Sequence, residues 1–381
     1  MTYNKLTIAG SLLSVFVLSC CSVNVQTGQT KIIHETKFNS SYIALQNEDM
    51  QKLGFSFGDS CDVYFSNGQS MKDIPYYDGY YTRSDFPLIC GYQGYPYVQI
   101  TINNSSDFWD MYALDESYTV NVKLNKKGKY KDAQEAFSMH YSNDRDQFSS
   151  NEQFANFREV KTTNIKEGKL YRGASPFNDS YNRAHYVDNL LKEKGTKFIL
   201  DLSDSASDIE DYKGKYDLSD NYALQQDKVY CSMGSNFRVD RDTNQAEPNL
   251  FGTFIQSDFK TSLGKGLKEM IKSSGPYYVH CVEGKDRTGF VCMLLEAVCG
   301  ASYSEMKKDY MITYYNYFGI KEGDVKYDAV CNLRFDEFME YLSDSADDLV
   351  SYNYVNDAKD YLKACNLTDD EISELIDRLT K

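Results

Sequence analysis

The chain has 381 residues, long enough for two domains each with its own core. Its 41 Lys and Arg against 56 Asp and Glu give a formal net charge of −15, which excludes non-specific nucleic-acid binding through a basic surface and removes nucleic acid from the expected partners. With 33 Tyr but only 6 Pro the composition is that of an ordered chain, not a low-complexity stalk, and no internal repeat is visible.

Residues 1–20 read as an export signal. Lys5 precedes the apolar run from Leu6 to Ser19, which is too short and too weakly flanked for a membrane span and ends at Cys20-Cys21. Val17-Leu18-Ser19-Cys20 resembles a bacterial lipobox. That resemblance implies a lipid on Cys20, which becomes the mature N-terminus, and an exported protein anchored to the membrane at a bacterial cell surface or in the periplasm. An ordinary secretory signal or an uncleaved anchor is the alternative. Residues 21–40 are polar and carry no element signal, as expected of a tether.

From 41 to 145 the pattern predicts a β-rich accessory domain, a small barrel or sandwich. Asp62-Val63-Tyr64-Phe65-Ser66-Asn67-Gly68 carries an Asn-Gly hairpin turn, and both Tyr97–Ile102 and Tyr118–Leu124 alternate apolar with polar residues. The run Tyr76-Tyr77-Asp78-Gly79-Tyr80-Tyr81 reads as core filling or a domain contact, with a carbohydrate or peptide platform as the other reading. Cys61, Cys90, Cys231, Cys292, Cys299, Cys331 and Cys365 show no CxxC or zinc spacing, so neither a metal nor a disulfide framework is expected; a Cys61–Cys90 bridge stays open.

Residues 146–381 read as the second, catalytic domain. Asn156-Phe157-Arg158 is followed by Leu170-Tyr171-Arg172, a helix with Val187, Leu190 and Leu191, and the strand Phe198-Ile199-Leu200-Asp201-Leu202. Lys228–Cys231 suggests a further strand, and Leu263, Leu267, Met270 and Ile271 form the apolar stripe of a helix. Strands alternating with helices predict an α/β fold with a central sheet and a ligand at the strand C-termini. Arg158 and Arg172 read as structural ion-pair or hydrogen-bond partners.

The chemistry concentrates in His280-Cys281-Val282-Glu283-Gly284-Lys285-Asp286-Arg287-Thr288-Gly289. Gly275-Pro276 and a short aromatic and β-branched run predict a buried strand before it; an apolar stretch from Phe290 to Cys299, stopped by Gly300, predicts a buried helix after it. A strand, a tight loop and a helix N-terminus aim consecutive N–H groups at one point, and that point suits a phosphate. A cysteine opening such a loop is favoured as the thiolate by the helix end and by an arginine. Arg287, six residues after Cys281, offers a planar fork for two phosphoryl oxygens that lysine does not reproduce.

Cysteine, five residues, then arginine is the signature of the protein tyrosine phosphatases. The longer His-Cys-x-x-Gly-Lys-Asp-Arg-Thr-Gly form resembles their bacterial branch related to dual-specificity and phosphoinositide phosphatases, and the resemblance covers roughly 154 to 320. It implies a cysteine-phosphatase fold, no cofactor and no metal. It also implies Cys281 as nucleophile, Arg287 and the residues Val282, Glu283, Gly284, Lys285 and Thr288 as phosphate-binding, and His280 and Gly289 as supporting residues. Many tyrosine phosphatases take their general acid from a Trp-Pro-Asp loop, but the one tryptophan here, Trp109, lies outside the catalytic domain. In the Lys-Asp-Arg branch the aspartate beside the arginine is implicated, here Asp286; Asp201, Asp204, Asp240 and Asp242 are the alternatives. Thr288 is expected to donate to the sulfur, or to be an ordinary first-turn residue. Glu283 stands where the branch often has a small residue and lowers the local positive charge. Lys285 raises it.

Ser302 with Glu305 and Thr368 with Glu371 predict capping boxes on two tail helices, and Val330, Leu333, Phe338 and Leu342 predict a helix between them. The expected function is a cysteine-dependent phosphatase for phosphotyrosine, with dual specificity for phosphoserine and phosphothreonine. Its partners would be a phosphorylated protein, or a phospholipid or inositol phosphate, and the membrane through the N-terminal lipid. A phosphoinositide or inositol phosphate phosphatase, or a silent phosphate-binding surface protein, is the alternative.

Overall fold

The computed structural model describes residues 25–36, 40–83, 85–103, 107–231, 254 and 257–381. Cys20, Asp240 and Asp242 lie outside them. The N-terminal part is a closed seven-stranded barrel in the order β1-β2-β6-β5-β4-β3-β7. Its strands are β1 (Thr30–Glu35), β2 (Ser40–Ile43), β3 (Ser60–Phe65), β4 (Ser70–Tyr77), β5 (Pro87–Cys90), β6 (Val98–Ile102) and β7 (Thr119–Lys126). Alternation decides what faces inward: Cys61, Val63 and Phe65 of β3 and Val120 and Val122 of β7 are buried, with partly exposed residues between them. The β3–β4 turn is tight because Gly68 takes φ +92° while the Phe65 N–H bonds Gln69 O at 2.9 Å. Cys61 and Cys90 are both buried free thiols, so the bridge left open by the sequence is not formed.

The polar tether expected over 21–40 is corrected by this fold. Thr30–Glu35 is strand β1, paired antiparallel with both β2 and β7, and it closes the barrel. Ile32 is fully buried while its neighbours are half-buried or exposed. One inward position in six residues leaves no alternation to read, which is why the composition looked like linker. His34 also anchors the strand: its ring stacks on Trp109 at 4.7 Å and its Nε2 lies 3.1 Å from the Asp107 carboxylate.

The C-terminal part is built on a five-stranded sheet in the order β11-β10-β12-β9-β8. The strands are β8 (Arg158–Glu159), β9 (Leu170–Gly173), β10 (Phe198–Asp201), β11 (Asp227–Tyr230) and β12 (Tyr277–His280). β9, β12, β10 and β11 are parallel, and β8 runs antiparallel to β9. Among the described residues, seven longer helices accompany them: α1 (Ala184–Lys194), α2 (Ala206–Lys215), α3 (Ser257–Met270), α4 (Asp286–Val298), α5 (Tyr303–Phe318), α6 (Val355–Ala364) and α7 (Asp369–Thr380).

The sheet is covered on both faces, as a parallel sheet must be. Tyr171, Ile199 and Tyr278 pack with Val187, Leu190 and Leu191 of α1 on one side. Leu170, Phe198, Leu200, Tyr277 and Val279 pack with α3 and α4 on the other. Every residue of α4 from Thr288 to Val298 is buried, which fits a sequence that is apolar but for Thr288 and Glu296. Both expected capping boxes are present, at Ser302/Glu305 on α5 and Thr368/Glu371 on α7. The helix expected around Val330–Leu342 is interrupted by a π turn at Cys331–Phe335.

Contacts between the barrel and the sheet unit are polar and aromatic. Arg83 Nη1 bonds both Glu340 carboxylate oxygens at 2.7 Å, and its Nε bonds Asn332 O at 2.6 Å. Tyr81 stacks on Phe137 at 5.5 Å, and Arg334 lies 4.6 Å over the same ring. The tyrosine run therefore divides: Tyr76 and Tyr77 are buried, and Tyr81 reaches the contact. If β1 closes the barrel, Ile32→Ala lowers stability by about 2–4 kcal/mol in denaturant unfolding, as a truncated core residue does. A tether residue would show no change.

Candidate active site

Cys281 follows the last residue of β12, and α4 begins at Asp286, so the loop 281–285 lies at the C-terminal end of a central parallel strand. Such an end is where an open α/β sheet leaves a crevice for ligand. The turn demands glycine. Gly284 has φ +67°, and a Cβ there would stand 2.2 Å from the Gly173 carbonyl at the end of β9. The first loop residue, Cys281, is 4% exposed.

The loop carbonyls are held from outside. Val282 O accepts from Ser175 N at 3.1 Å and Lys285 O from Gly289 N at 2.9 Å. Glu283 O accepts from Tyr317 Oη at 2.6 Å and from Asn156 Nδ2 at 3.2 Å. Gly284 O accepts from Asn156 Nδ2 and Arg172 Nη2, both at 3.1 Å. Asn156 takes the left-handed conformation, φ +48°, that asparagine tolerates better than most residues. Its Oδ1 is fixed by Arg158 Nη1 at 2.9 Å and Asn316 Nδ2 at 3.0 Å.

Behind these donors, one carboxylate holds two arginines. Arg172 Nη1 pairs with Asp309 Oδ2, and Arg158 Nε lies 2.8 Å from Asp309 Oδ1. All three are buried, Arg172 completely. Burial alone would raise the Asp309 carboxyl, but the two guanidiniums outweigh it and hold it below the ordinary carboxylate value.

With the carbonyls engaged, the N–H groups of Val282, Glu283, Gly284, Asp286 and Arg287 donate to no protein acceptor among the described residues. At the N-terminus of α4, such N–H groups are of the kind that can receive an anion. Asp201 pairs in register with His280, which sets Leu202 level with Cys281 on the neighbouring strand. Arg287 Nη1 bonds Leu202 O at 3.2 Å, so its guanidinium lies at that same strand end. Lys285 Nζ sits 3.6 Å from Asp286 Oδ2 and 3.9 Å from Glu283 Oε2. Burial raises the Glu283 carboxyl, and Lys285 draws it partly back.

His280 is fully buried, with Nδ1 3.3 Å from Cys281 O. Burial, against the pull of the Asp204 carboxylate, lowers its pKa to about 4, so the ring is neutral at pH 7. Its Nε2 stands 3.7 Å from Asp201 Oδ2, beyond hydrogen-bond length. Burial pushes Asp201 up to about 6 although the Ser203 and Asp204 N–H groups bond its other oxygen. Burial and then the charge of Asp201 push Asp204 up to about 7, with Tyr212 Oη donating to it at 3.0 Å.

The structure thus brings His280, Cys281, Val282, Glu283, Gly284, Lys285, Asp286 and Arg287 into one turn between strand and helix. Of the two readings of Thr288, the structure keeps the first-turn residue: its Oγ1 is buried without a hydrogen-bond partner, so no bond to the sulfur is made. Gly289 serves packing, since a Cβ there would meet the Tyr310 ring at 2.8 Å. Tyr317 is a loop support through its hydroxyl. Sequence reasoning missed Asn156, Asp309, Thr313 and Asn316 as loop supports. Only Asn156 carried a signal, beside the Phe157-Arg158 pair. Among the described residues no group of three His, Cys, Asp or Glu is placed to hold a metal ion.

Asp309→Asn leaves two buried guanidiniums without a counter-charge. It costs about 3–5 kcal/mol at pH 7, read from urea unfolding. Because the folded pKa of Asp309 is depressed, that contribution is present above the ordinary value of 3.8 and fades as pH falls through the lower folded value, so the gap between wild type and variant closes in acid.

A model of the tyrosine phosphatase family matches residues 150–381. No curated protein matches the chain. Among solved structures, the core catalytic domain of the PP-IP phosphatase SIW14 from S. cerevisiae, in complex with citrate, aligns with 50% of this chain and 91% of its own at 18% identity, with a TM-score of 0.26. The family match takes in more than half of the chain, including the strand, loop and helix around Cys281, and the chain belongs to the tyrosine phosphatase family.

Proposed function

We propose that the chain hydrolyses phosphotyrosine monoesters, with phosphoserine and phosphothreonine as further substrates, through a cysteinyl-phosphate intermediate. Membership of a phosphatase family supports a hydrolase acting on phosphate esters. The observation that carries the reading is the loop itself: carbonyls held outward, N–H groups left for an anion, and the Arg287 guanidinium level with Cys281 at the strand end.

In the first step Cys281 Sγ attacks phosphorus; the S–P bond forms, the ester P–O bond breaks, and Asp286 gives its proton to the leaving oxygen. Arg287 and the loop N–H groups hold the equatorial oxygens as charge redistributes. In the second step water attacks phosphorus, the S–P bond breaks, and Asp286 takes the proton from water. Asp286 sits at the loop mouth beside Lys285, whereas Asp201 is fully buried against β12 and engaged by two backbone N–H groups. That contrast favours Asp286 as the acid. The Glu283 carboxylate reduces the positive charge that Lys285 adds, which favours a single phosphate over a polyphosphorylated inositol.

We assign the barrel to an accessory domain and residues 146–381 to the catalytic domain. We also propose that Cys20 carries a lipid and tethers the exported protein to the membrane of a bacterial cell; the support is the lipobox-like Val17-Leu18-Ser19-Cys20 after an apolar run. Metabolic labelling with a fatty acid should mark the protein and be lost in Cys20→Ala. Labelling that persists in the variant rejects the site.

Turnover is tested with p-nitrophenyl phosphate. Vanadate-sensitive hydrolysis should fall to background in Cys281→Ser while phosphate-ligand binding survives; an unchanged rate rejects covalent catalysis, and no hydrolysis by the wild type leaves only a phosphate-binding protein. Asp286→Asn should slow alkyl phosphates by about 10²-fold or more and the activated aryl ester far less. Equal losses move the acid to another residue.

A further inference from the structure

The barrel carries a cleft of about 670 Å³ where it meets the segment Phe137–His140. It shares no residue with the loop of Cys281, and its volume lies in the range of small-ligand sites. Tyr92, Tyr95 and Tyr97 line it, with Phe57, Tyr81 and Phe137. Tyr92 and Tyr95 lie 5.2 Å apart, and Tyr42, behind the lining, contacts Tyr95 at 6.0 Å and Tyr97 at 6.2 Å. Tyr95 is fixed by Tyr80 Oη, 3.2 Å from its own hydroxyl. The Tyr97 residue is 37% exposed.

Gln46, Asn47, Gln51 and Gln93 present side-chain amides, Glu48 and Asp78 carboxylates, Ser138 a hydroxyl and His140 an imidazole, and among the described residues no Lys or Arg lines the cleft. Asn47 is held in place, its Nδ2 bonding Gly91 O at 2.6 Å and its Oδ1 accepting from Tyr76 Oη at 3.1 Å. Asp78 Oδ1 is buried with no hydrogen-bond partner. Such an atom calls for a donor.

We propose that this cleft binds a short neutral oligosaccharide. A sugar ring offers an apolar C–H face that stacks on tyrosine, and a rim of hydroxyls that both donate and accept, which match amides and carboxylates. A phosphorylated or otherwise anionic ligand is disfavoured because two carboxylates and no fixed cation line the cleft. A quaternary ammonium is best held in a cage of rings around one point. Here side-chain amides outnumber carboxylates four to two, which suits hydroxyls better than a cation. An extended peptide has no free sheet edge to join, because the barrel is closed.

The test titrates the full-length protein with maltotriose, cellotriose, xylotriose, mannotriose and chitotriose by calorimetry and by saturation-transfer NMR. At least one should bind saturably, and Tyr97→Ala and Gln93→Ala should each weaken it about fivefold or more. Both positions are exposed, so melting temperature and p-nitrophenyl phosphate hydrolysis should stay at wild-type values. The proposal is overturned if none of the five binds, if both variants bind as the wild type does, or if choline or a phosphopeptide occupies the cleft and the sugars do not.

Discussion

A backbone turn keeps its N–H groups for a ligand only if its carbonyls are satisfied elsewhere, and the rest of the catalytic unit follows from that constraint. A buried carbonyl without a partner costs on the order of 1–3 kcal/mol, and this loop turns several of them away from the crevice at once. Asn156, Arg172 and Tyr317 meet that demand, each from a different element: the link before β8, strand β9 and helix α5. The donors are fixed in turn. Asn156 is locked by Arg158 and Asn316, and the arginines are locked by Asp309. The loop shape is therefore a property of the packed α5–β9 region as much as of its own sequence.

The electrostatics follow the same plan. Two buried guanidiniums share one carboxylate, so positive charge remains behind the loop where an anion would be received. His280 adds none, because burial holds its ring neutral at pH 7. Charge in this region comes from arginines and from the end of α4, both of which keep it at any physiological pH. The titrating groups, Asp201 and Asp204, stand on the neighbouring strand end.

Much of this was legible in the sequence because it is local. A strand, a glycine turn and a helix leave their signatures within about 25 residues, so the loop between β12 and α4 and the α/β class could be read directly, and the tail capping boxes likewise. Asp309 could not be read: it sits mid-helix among polar and aromatic residues, and nothing within a few positions of it names Arg158 or Arg172. Thr313 and Asn316 are hidden for the same reason. β1 was lost for another, since a strand with Ile32 as its one inward residue looks like linker until β2 and β7 flank it. For Thr288 the sequence left two roles open, because residue type alone does not say what a hydroxyl meets.

What distinguishes this chain from its loop motif alone is the charge at the mouth. Lys285 stands between Glu283 and Asp286, and neither distance is short enough for a tight hydrogen bond. Glu283 and the protonated Asp286 that the proposed first step needs leave the mouth near neutral beside Lys285, while the floor stays positive. A single phosphate reaching the floor meets the arginine and the N–H groups. A second phosphate on the same molecule would have to sit at the mouth, beside Glu283. If the proposed reaction holds, selection among phosphates would depend on the difference between floor and rim, and a carboxylate at the rim would penalise extra charge without weakening the hold on the first.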